Sequence, residues 1–246
     1  MDFIDDENIY FFDNTPLLET EIDSSILNII KSQENLYLKK VEDISTISSC
    51  FNKNDKEVVT LKDLYKNKFV SKRWEGHYDK IRNSINECPY CGFGEITEID
   101  HFLAKSLYPE FILFYYNLIP SCNNCNKQKG IKSIHIHPYK DKIDIEPFDV
   151  ETKISNSNIV FLYNVNNDIS DNLKEYIRLF DLSKRYSKQV NSKFNNDIYY
   201  YKHFDYKLFE IEIQIRYKSS IKIYLKAFYK SILDNLQMVY NYIHNK

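Results

Sequence analysis

The stretch that decides the fold runs from Cys88 to Gly130 and reads CPYCGFGEITEIDHFLAKSLYPEFILFYYNLIPSCNNCNKQKG. It contains two C-x-x-C pairs, the first formed by Cys88 and Cys91 and the second by Cys122 and Cys125. Two such pairs supply the four soft ligands that a tetrahedral zinc ion prefers. Because four thiolates leave no open position for water, we expect this zinc to be structural rather than catalytic.

The zinc would also stabilise this segment, because residues 88–130 are too few to bury a sufficient apolar core of their own. A bound zinc contributes roughly 10–16 kcal/mol of apparent folding free energy in small zinc domains. Gly92 directly follows the first cysteine pair, where the turn often needs a positive φ. We expect the fifth cysteine, Cys50, to be an ordinary buried thiol.

A second group of polar residues lies between and after the cysteine pairs. Acidic and apolar residues alternate from Glu95 to Asp100, as in a short strand with one face buried, and His101 follows directly. A carboxylate beside an imidazole places a hard oxygen ligand for Mg²⁺ next to a base that titrates near neutral pH. A helix over the second cysteine pair would turn Asn126 away from the sulfurs, with Lys129 on the same face as Asn126 and placed to meet a phosphate.

The glycines and prolines indicate how the rest of the chain is organised. All four glycines lie between residues 76 and 130, and five of the six prolines lie between residues 89 and 147. Irregular backbone is therefore concentrated in the middle, and the flanks are expected to be helical. We predict a mostly helical α+β fold with an N-terminal helical region over 1–70, a core over 71–148 and a C-terminal helical region over 149–246.

Apolar residues repeat at helical spacing in both flanks. Either Asp23 or Ser24 is expected to cap the first of these helices. The repeats predict helices near residues 22–30, 61–69, 173–180 and 221–232, and a β-strand over 159–163. The run from Tyr199 to Tyr201 suits either core packing or base stacking.

The net charge of −2 on 246 residues hides an uneven distribution. Residues 61–82 carry seven basic side chains against three acidic ones, and residues 121–142 carry five lysines against one aspartate. Nucleic acid responds to such local fields, although ordinary solvated faces have the same composition, and both interpretations stay open. Residues 1–23 carry eight carboxylates and no Lys or Arg. This segment could bind a basic partner, or it could pack over the basic regions 61–82 and 121–142.

Taken together, these motifs resemble the HNH endonucleases, whose core is the ββα-metal fold. The resemblance rests on C-x-x-C, then IDH, then NLIPSCNNCNKQKG, and covers residues 88–130. It implies that His101 is the general base and that Asp100 and Asn126 hold a catalytic divalent ion, Mg²⁺ or Mn²⁺. It also implies that Asn117 pins the intervening loop by hydrogen bonds to the backbone.

The resemblance extends to substrate and partners. It implies cleavage of double-stranded DNA, and we expect Lys105, Lys127 and Lys129 to contact the nucleic acid. The longer pattern DHFLAKSLYPEF, NLIPSCNNCNKQKG and HPYKD is similar to a subgroup of bacterial HNH proteins, some of which belong to Septu-like anti-phage defence modules. This similarity implies a defence effector that works with an ATPase or another protein of such a system.

Two other functions remain open from the sequence. One is a non-catalytic module, held together by the zinc, that binds nucleic acid or a partner. The other is cleavage of RNA or tRNA by the same residues. Asp100, His101 and Asn126 argue against the first, since a pure binder needs neither a base nor a second metal. His135 and His137 are two residues apart, as are side chains on one face of a strand. They could bind metal, stabilise the structure or contact phosphate, and the sequence leaves these roles open.

The sequence also predicts where the protein resides. Its acidic start does not have the pattern of a signal peptide. The most apolar stretch, Phe111 to Pro120, is shorter than the roughly 18 residues that a membrane span needs. We therefore expect a cytoplasmic protein without membrane contact, in which reduced cysteines bind metal instead of forming disulfides.

Overall fold

Two units make up the structure, a computed structural model that describes residues 10–40, 44, 46–141, 143 and 146–245. The first unit ends at residue 142, and the second contains the chain from residue 143 onward. No helix among the described residues is long and apolar enough to cross a lipid bilayer. Residues 1–9 of the acidic segment 1–23, with four of its eight carboxylates, lie outside the described residues, so the two interpretations of that segment stay predictions.

The first unit combines helices with one small antiparallel sheet. Asp23 caps the long second helix, because its Oδ1 accepts a hydrogen bond from the backbone N–H of Ser25 at 2.9 Å. A π-helical segment, Leu64–Val70, directly continues the third helix. In chain order the elements are α1 (Thr15–Leu18), α2 (Ser24–Lys40), α3 (Lys56–Asp63), α4 (His77–Arg82), β1 (Glu98–His101), β2 (Leu118–Ser121) and α5 (Asn123–Lys129).

The β1–β2 hairpin lies between the apolar core of the first unit and the candidate active site. Its strands are antiparallel, and His101 at the end of β1 pairs with Leu118 at the start of β2. Ile99 lies in the same buried core as residues from α2 and α3. Because successive side chains alternate across a strand, Glu98 and Asp100 lie on the other side of β1, against α5.

The second unit has its own hairpin and helices. Ser187 and Asn191 of its long second helix hydrogen-bond the backbone N–H groups of Tyr163 and Phe161, each at 3.0 Å, and so cover an edge of the hairpin. The elements are β3 (Phe148–Ser155), β4 (Asn158–Val165), α6 (Asp171–Leu179), α7 (Leu182–Tyr201), α8 (Tyr206–Ser219), α9 (Ile223–Asp234) and α10 (Leu236–His244). The strand predicted over 159–163 is confirmed, whereas β3 was not predicted.

The predicted fold class is confirmed, since the described residues are mostly helical and form two small two-stranded sheets. The division into three regions stays a prediction, and the structure groups residues 10–70 with the core that follows them. The prediction for Cys50 is wrong, because this side chain is exposed. The group of Cys50 that contacts buried residues is its backbone N–H, which donates a hydrogen bond to the Glu110 carboxylate.

Candidate active site and zinc site

The cysteines of the two C-x-x-C pairs form one buried cluster, and their four sulfur atoms lie within 4.8 Å of one another. The backbone N–H groups of Cys91 and Gly92 turn back to the carbonyl oxygen of Cys88 at 3.2 and 2.7 Å. Gly92 has the positive φ that its position predicts, +73°. A Cβ at Gly94 would lie only 2.8 Å from the sulfur of Cys122. This donor set fits a tetrahedral structural zinc.

His101 lies at the end of β1 with its imidazole buried. Its Nε2 is 3.0 Å from the carbonyl oxygen of Ile112. Since a carbonyl can only accept, Nε2 carries the proton and the lone pair is on Nδ1. The ring of Tyr65 meets the imidazole edge-on, with ring centroids 4.8 Å apart. Burial lowers the pKa of His101 to about 3, so the ring is neutral at neutral pH and, contrary to the sequence prediction, does not titrate there.

Asp100 points to the opposite side of β1 and is held by two side chains. The hydroxyl of Tyr90 donates to its Oδ2 at 2.8 Å, and the Lys129 ammonium lies 3.0 Å from the same oxygen. Lys129 also donates to the carbonyl oxygen of His101 at 2.7 Å. Burial raises the pKa of Asp100 and lowers the pKa of Lys129, while their ion pair opposes both shifts.

The three lysines implied as nucleic-acid contacts lie in different surroundings. The Lys129 side chain is 0% exposed, so in this structure it holds Asp100 and does not face a phosphate. It does share a helix face with Asn126, and that face packs on β1. Lys105 and Lys127 are exposed, and the Lys105 ammonium lies 4.7 Å from the centre of the Tyr65 ring.

The buried ion pair predicts a measurable loss of stability. Replacing Lys129 by Met is expected to destabilise the first unit by about 3 kcal/mol, because the Asp100 carboxylate stays buried without its cation. Lys127→Met, at an exposed position two residues earlier, is the matched control and is expected to change stability by less than about 0.5 kcal/mol. Urea unfolding of both zinc-loaded variants measures the difference, and equal midpoints would contradict the role of this pair.

Asn117 ties the loop between the strands to the backbone on both sides. Its Oδ1 accepts from the backbone N–H of Leu103 at 2.7 Å. Its Nδ2 donates to the carbonyl oxygens of Leu103 and Phe111, both at 3.1 Å. The Asn117 side chain is fully buried, so these bonds satisfy polar groups that have no access to water.

Asn126 lies on α5 and faces β1, where it meets a residue that the sequence interpretation did not single out. The carboxylate of Glu98 accepts hydrogen bonds from the side-chain amides of both Asn123 and Asn126. The signal was present in the sequence, since Glu98 precedes Asp100 by two residues and so shares its side of the strand. What the sequence does not show is that α5 packs on that side.

Comparison with known proteins agrees with this geometry. The family model described as HNH endonuclease matches residues 88–132, which include both cysteine pairs, β1, β2 and α5. Residues 88–132 are an HNH endonuclease domain. The model covers this segment only, and the remaining residues lie outside the match.

Two curated relatives share part of this sequence. Protein ea31 of Escherichia phage lambda is 42% identical over 95 residues, which cover 34% of this chain and 32% of that protein. Septu protein PtuB of Bacillus thuringiensis is 40% identical over 65 residues, which cover 23% of this chain and 25% of that protein. The matches therefore span a third or less of either relative. No solved structure matches the chain.

The buried Asn117 also has a neighbour from outside residues 88–132. The Tyr37 hydroxyl of α2 lies 3.3 Å from Asn117 Oδ1 and 3.1 Å from His137 Nε2. His137 Nδ1 accepts from the backbone N–H of Tyr139 at 3.2 Å, and burial lowers the pKa of His137 to about 3. His135 is exposed, so the two histidines do not share a face, and neither belongs to the metal-ligand cluster found among the described residues.

Proposed function

We propose that this chain is a metal-dependent HNH endonuclease that hydrolyses phosphodiester bonds of double-stranded DNA. The observation that carries the proposal is the packing of α5 on β1, in which Lys129 contacts both the Asp100 carboxylate and the His101 carbonyl oxygen. Asn126 lies one helical turn before Lys129 on the same face, and its side chain reaches Glu98 of the same strand. The residues to which we assign hydrolysis therefore come from β1 and from the face of α5 that packs on it.

In this proposal His101 removes a proton from the attacking water. The hydrogen bond from Nε2 to Ile112 fixes the ring and leaves Nδ1 as the accepting atom, which is the arrangement that a general base requires. Tyr65 packs against the ring edge and limits the rotation of the imidazole.

Asp100 and Asn126 would hold the divalent ion. A carboxylate oxygen and an amide oxygen are hard donors that suit Mg²⁺ or Mn²⁺, and they come from the facing elements β1 and α5. When bound, such an ion supplies positive charge to a phosphate oxygen and to the leaving oxygen. Tyr90 and Lys129 fix the Asp100 carboxylate from its Oδ2 side.

Exposed basic side chains near this domain suit a DNA backbone. Lys105 and Lys127 are exposed within the domain. The basic region 61–82 belongs to the same unit, and its exposed members are Lys62, Lys66, Lys68, Lys72, Arg73 and Lys80. We assign phosphate contacts to this surface, because binding to nucleic acid depends mainly on such local charge.

The test is a cleavage assay with the full chain, loaded with zinc and supplied with Mg²⁺ or Mn²⁺. Supercoiled plasmid, linear duplex, single-stranded DNA and RNA of the same sequence serve as substrates. We expect nicking of the plasmid and cutting of the duplex, with little loss of RNA. Preferential RNA cleavage would instead support the RNA or tRNA nuclease, and tight DNA binding without cleavage of any substrate would support the non-catalytic module.

We further propose that the chain is a cytoplasmic effector of a bacterial anti-phage defence system and acts with an ATPase or another protein of that system. The match to Septu protein PtuB supports this proposal, while the match to a phage lambda protein shows that similar sequences also occur in phages. Plaque counts on cells carrying the gene in its native neighbourhood test it. The expected protection should disappear with His101→Ala, and equal plaque numbers with and without the intact gene would contradict the role.

A further inference from the structure

We infer that Glu98 is a positioning residue that fixes the orientation of the Asn126 amide, so that Asn126 presents its Oδ1 to the divalent ion. The inference rests on the proposed function, because it concerns the same ion. It adds a residue for which neither the HNH resemblance nor the sequence interpretation gave a role.

The chemistry of the contact sets the orientation. An ionised carboxylate only accepts hydrogen bonds, and in an asparagine side chain only the NH₂ group donates. Glu98 Oε2 accepts from Asn126 Nδ2, and Glu98 Oε1 accepts from Asn123 Nδ2. Rotating the Asn126 amide by half a turn would place two oxygen acceptors against each other. The carboxylate therefore holds Nδ2 on its own side and turns Oδ1 away.

The packing of α5 on β1 determines which way Asn126 Oδ1 points. Asn123, Asn126 and Lys129 follow each other at intervals of three residues along one face of α5. The first two contact Glu98 and the last contacts Asp100. Along this face Asn126 thus precedes Lys129, the residue that contacts Asp100, and its NH₂ group is on Glu98. Its oxygen is left for the ion that Asp100 binds.

Without Glu98 the amide would lose this constraint. The side chain could then rotate its oxygen out of the site, and the NH₂ group that replaces it repels a cation. Hydrogen bonds that orient a metal ligand typically change metal affinity by about 10–100-fold when they are removed. Glu98 is half-buried, which suits a supporting carboxylate at the rim of a site.

Mn²⁺ affinity of the zinc-loaded full chain, measured by electron paramagnetic resonance, tests the inference without depending on cleavage. Glu98→Ala is expected to weaken Mn²⁺ binding by about 10-fold or more. Glu98→Gln is expected to stay within about threefold of the wild type, since its carbonyl oxygen can accept from Asn126 while its NH₂ group donates to the Oδ1 of a rotated Asn123 amide. Glu95→Ala removes an exposed carboxylate of the same segment and controls for the change in net charge.

Four outcomes would count against these assignments, with zinc content and melting temperature showing that each variant is folded. Wild-type affinity in Glu98→Ala would overturn the inference. Equal loss in Glu98→Gln and Glu98→Ala would also overturn it, because the charge or direct ligation by the carboxylate would then matter instead of the hydrogen bond. Failure of the wild type to bind Mn²⁺, or undiminished binding by Asp100→Ala, would contradict the proposed function itself.

Discussion

Replacing His101 by Ala is expected to slow DNA cleavage by about 10²–10⁴-fold, because the attacking water loses its base. Binding of Mn²⁺ should stay close to that of the wild type, since the proposed ligands are Asp100 and Asn126. The zinc content should also be unchanged, because the four sulfurs are on other residues. Plasmid nicking under single-turnover conditions measures the rate, with Mn²⁺ affinity and zinc content measured on the same preparations.

The matched control for this substitution is His135→Ala. His135 belongs to the same unit but is exposed, so its loss should leave the cleavage rate within about twofold of the wild type. Cleavage by His101→Ala at the wild-type rate would contradict the assignment of the base. An equal loss of rate in both variants would point to a general effect of losing an imidazole and not to a special role of His101.

Replacing Cys88 by Ser is expected to release the zinc and to unfold the HNH domain. Zinc binding contributes roughly 10–16 kcal/mol to the folding of small zinc domains, which matches or exceeds the roughly 5–15 kcal/mol stability of a typical domain. The remaining thiolates cannot complete the tetrahedral site. Atomic absorption of protein purified without chelator should show zinc falling from about one ion per chain to nearly none, with loss of cleavage.

Cys50→Ser is the control for this change, because Cys50 is exposed and lies outside the sulfur cluster. It should retain its zinc and its melting temperature. A Cys88→Ser protein that kept both the metal and the cooperative unfolding of the wild type would show that the cluster does not stabilise the fold through zinc. Treatment of the wild type with a strong chelator should reproduce the effect of Cys88→Ser.

Short motifs explain why much of the HNH domain was predictable. The two C-x-x-C pairs require one particular turn geometry, and the structure brings their sulfurs together as expected. The alternation up to Asp100 predicts a strand, and β1 covers Glu98–His101. Helical phase alone also places Lys129 on the face of Asn126. In each of these features the interactions are local in sequence.

Features that depend on packing between distant residues were not predictable. Helical phase shows which residues share a face but not what that face meets, so the burial of Lys129 against Asp100 could not be foreseen. The contact between Tyr37 and Asn117 joins residues eighty positions apart. The strand β3 was missed because most of its side chains are polar and only its first residue, Phe148, is fully buried.

We propose that two metals have separate tasks in this protein, one holding the fold and one at the catalytic residues. Anomalous diffraction from crystals grown with Mn²⁺, recorded at the zinc and manganese absorption edges, tests it most directly. We predict zinc density among Cys88, Cys91, Cys122 and Cys125, and manganese density in contact with Asp100 and Asn126. Manganese density confined to other places, or zinc absent from the four sulfurs, would contradict the account.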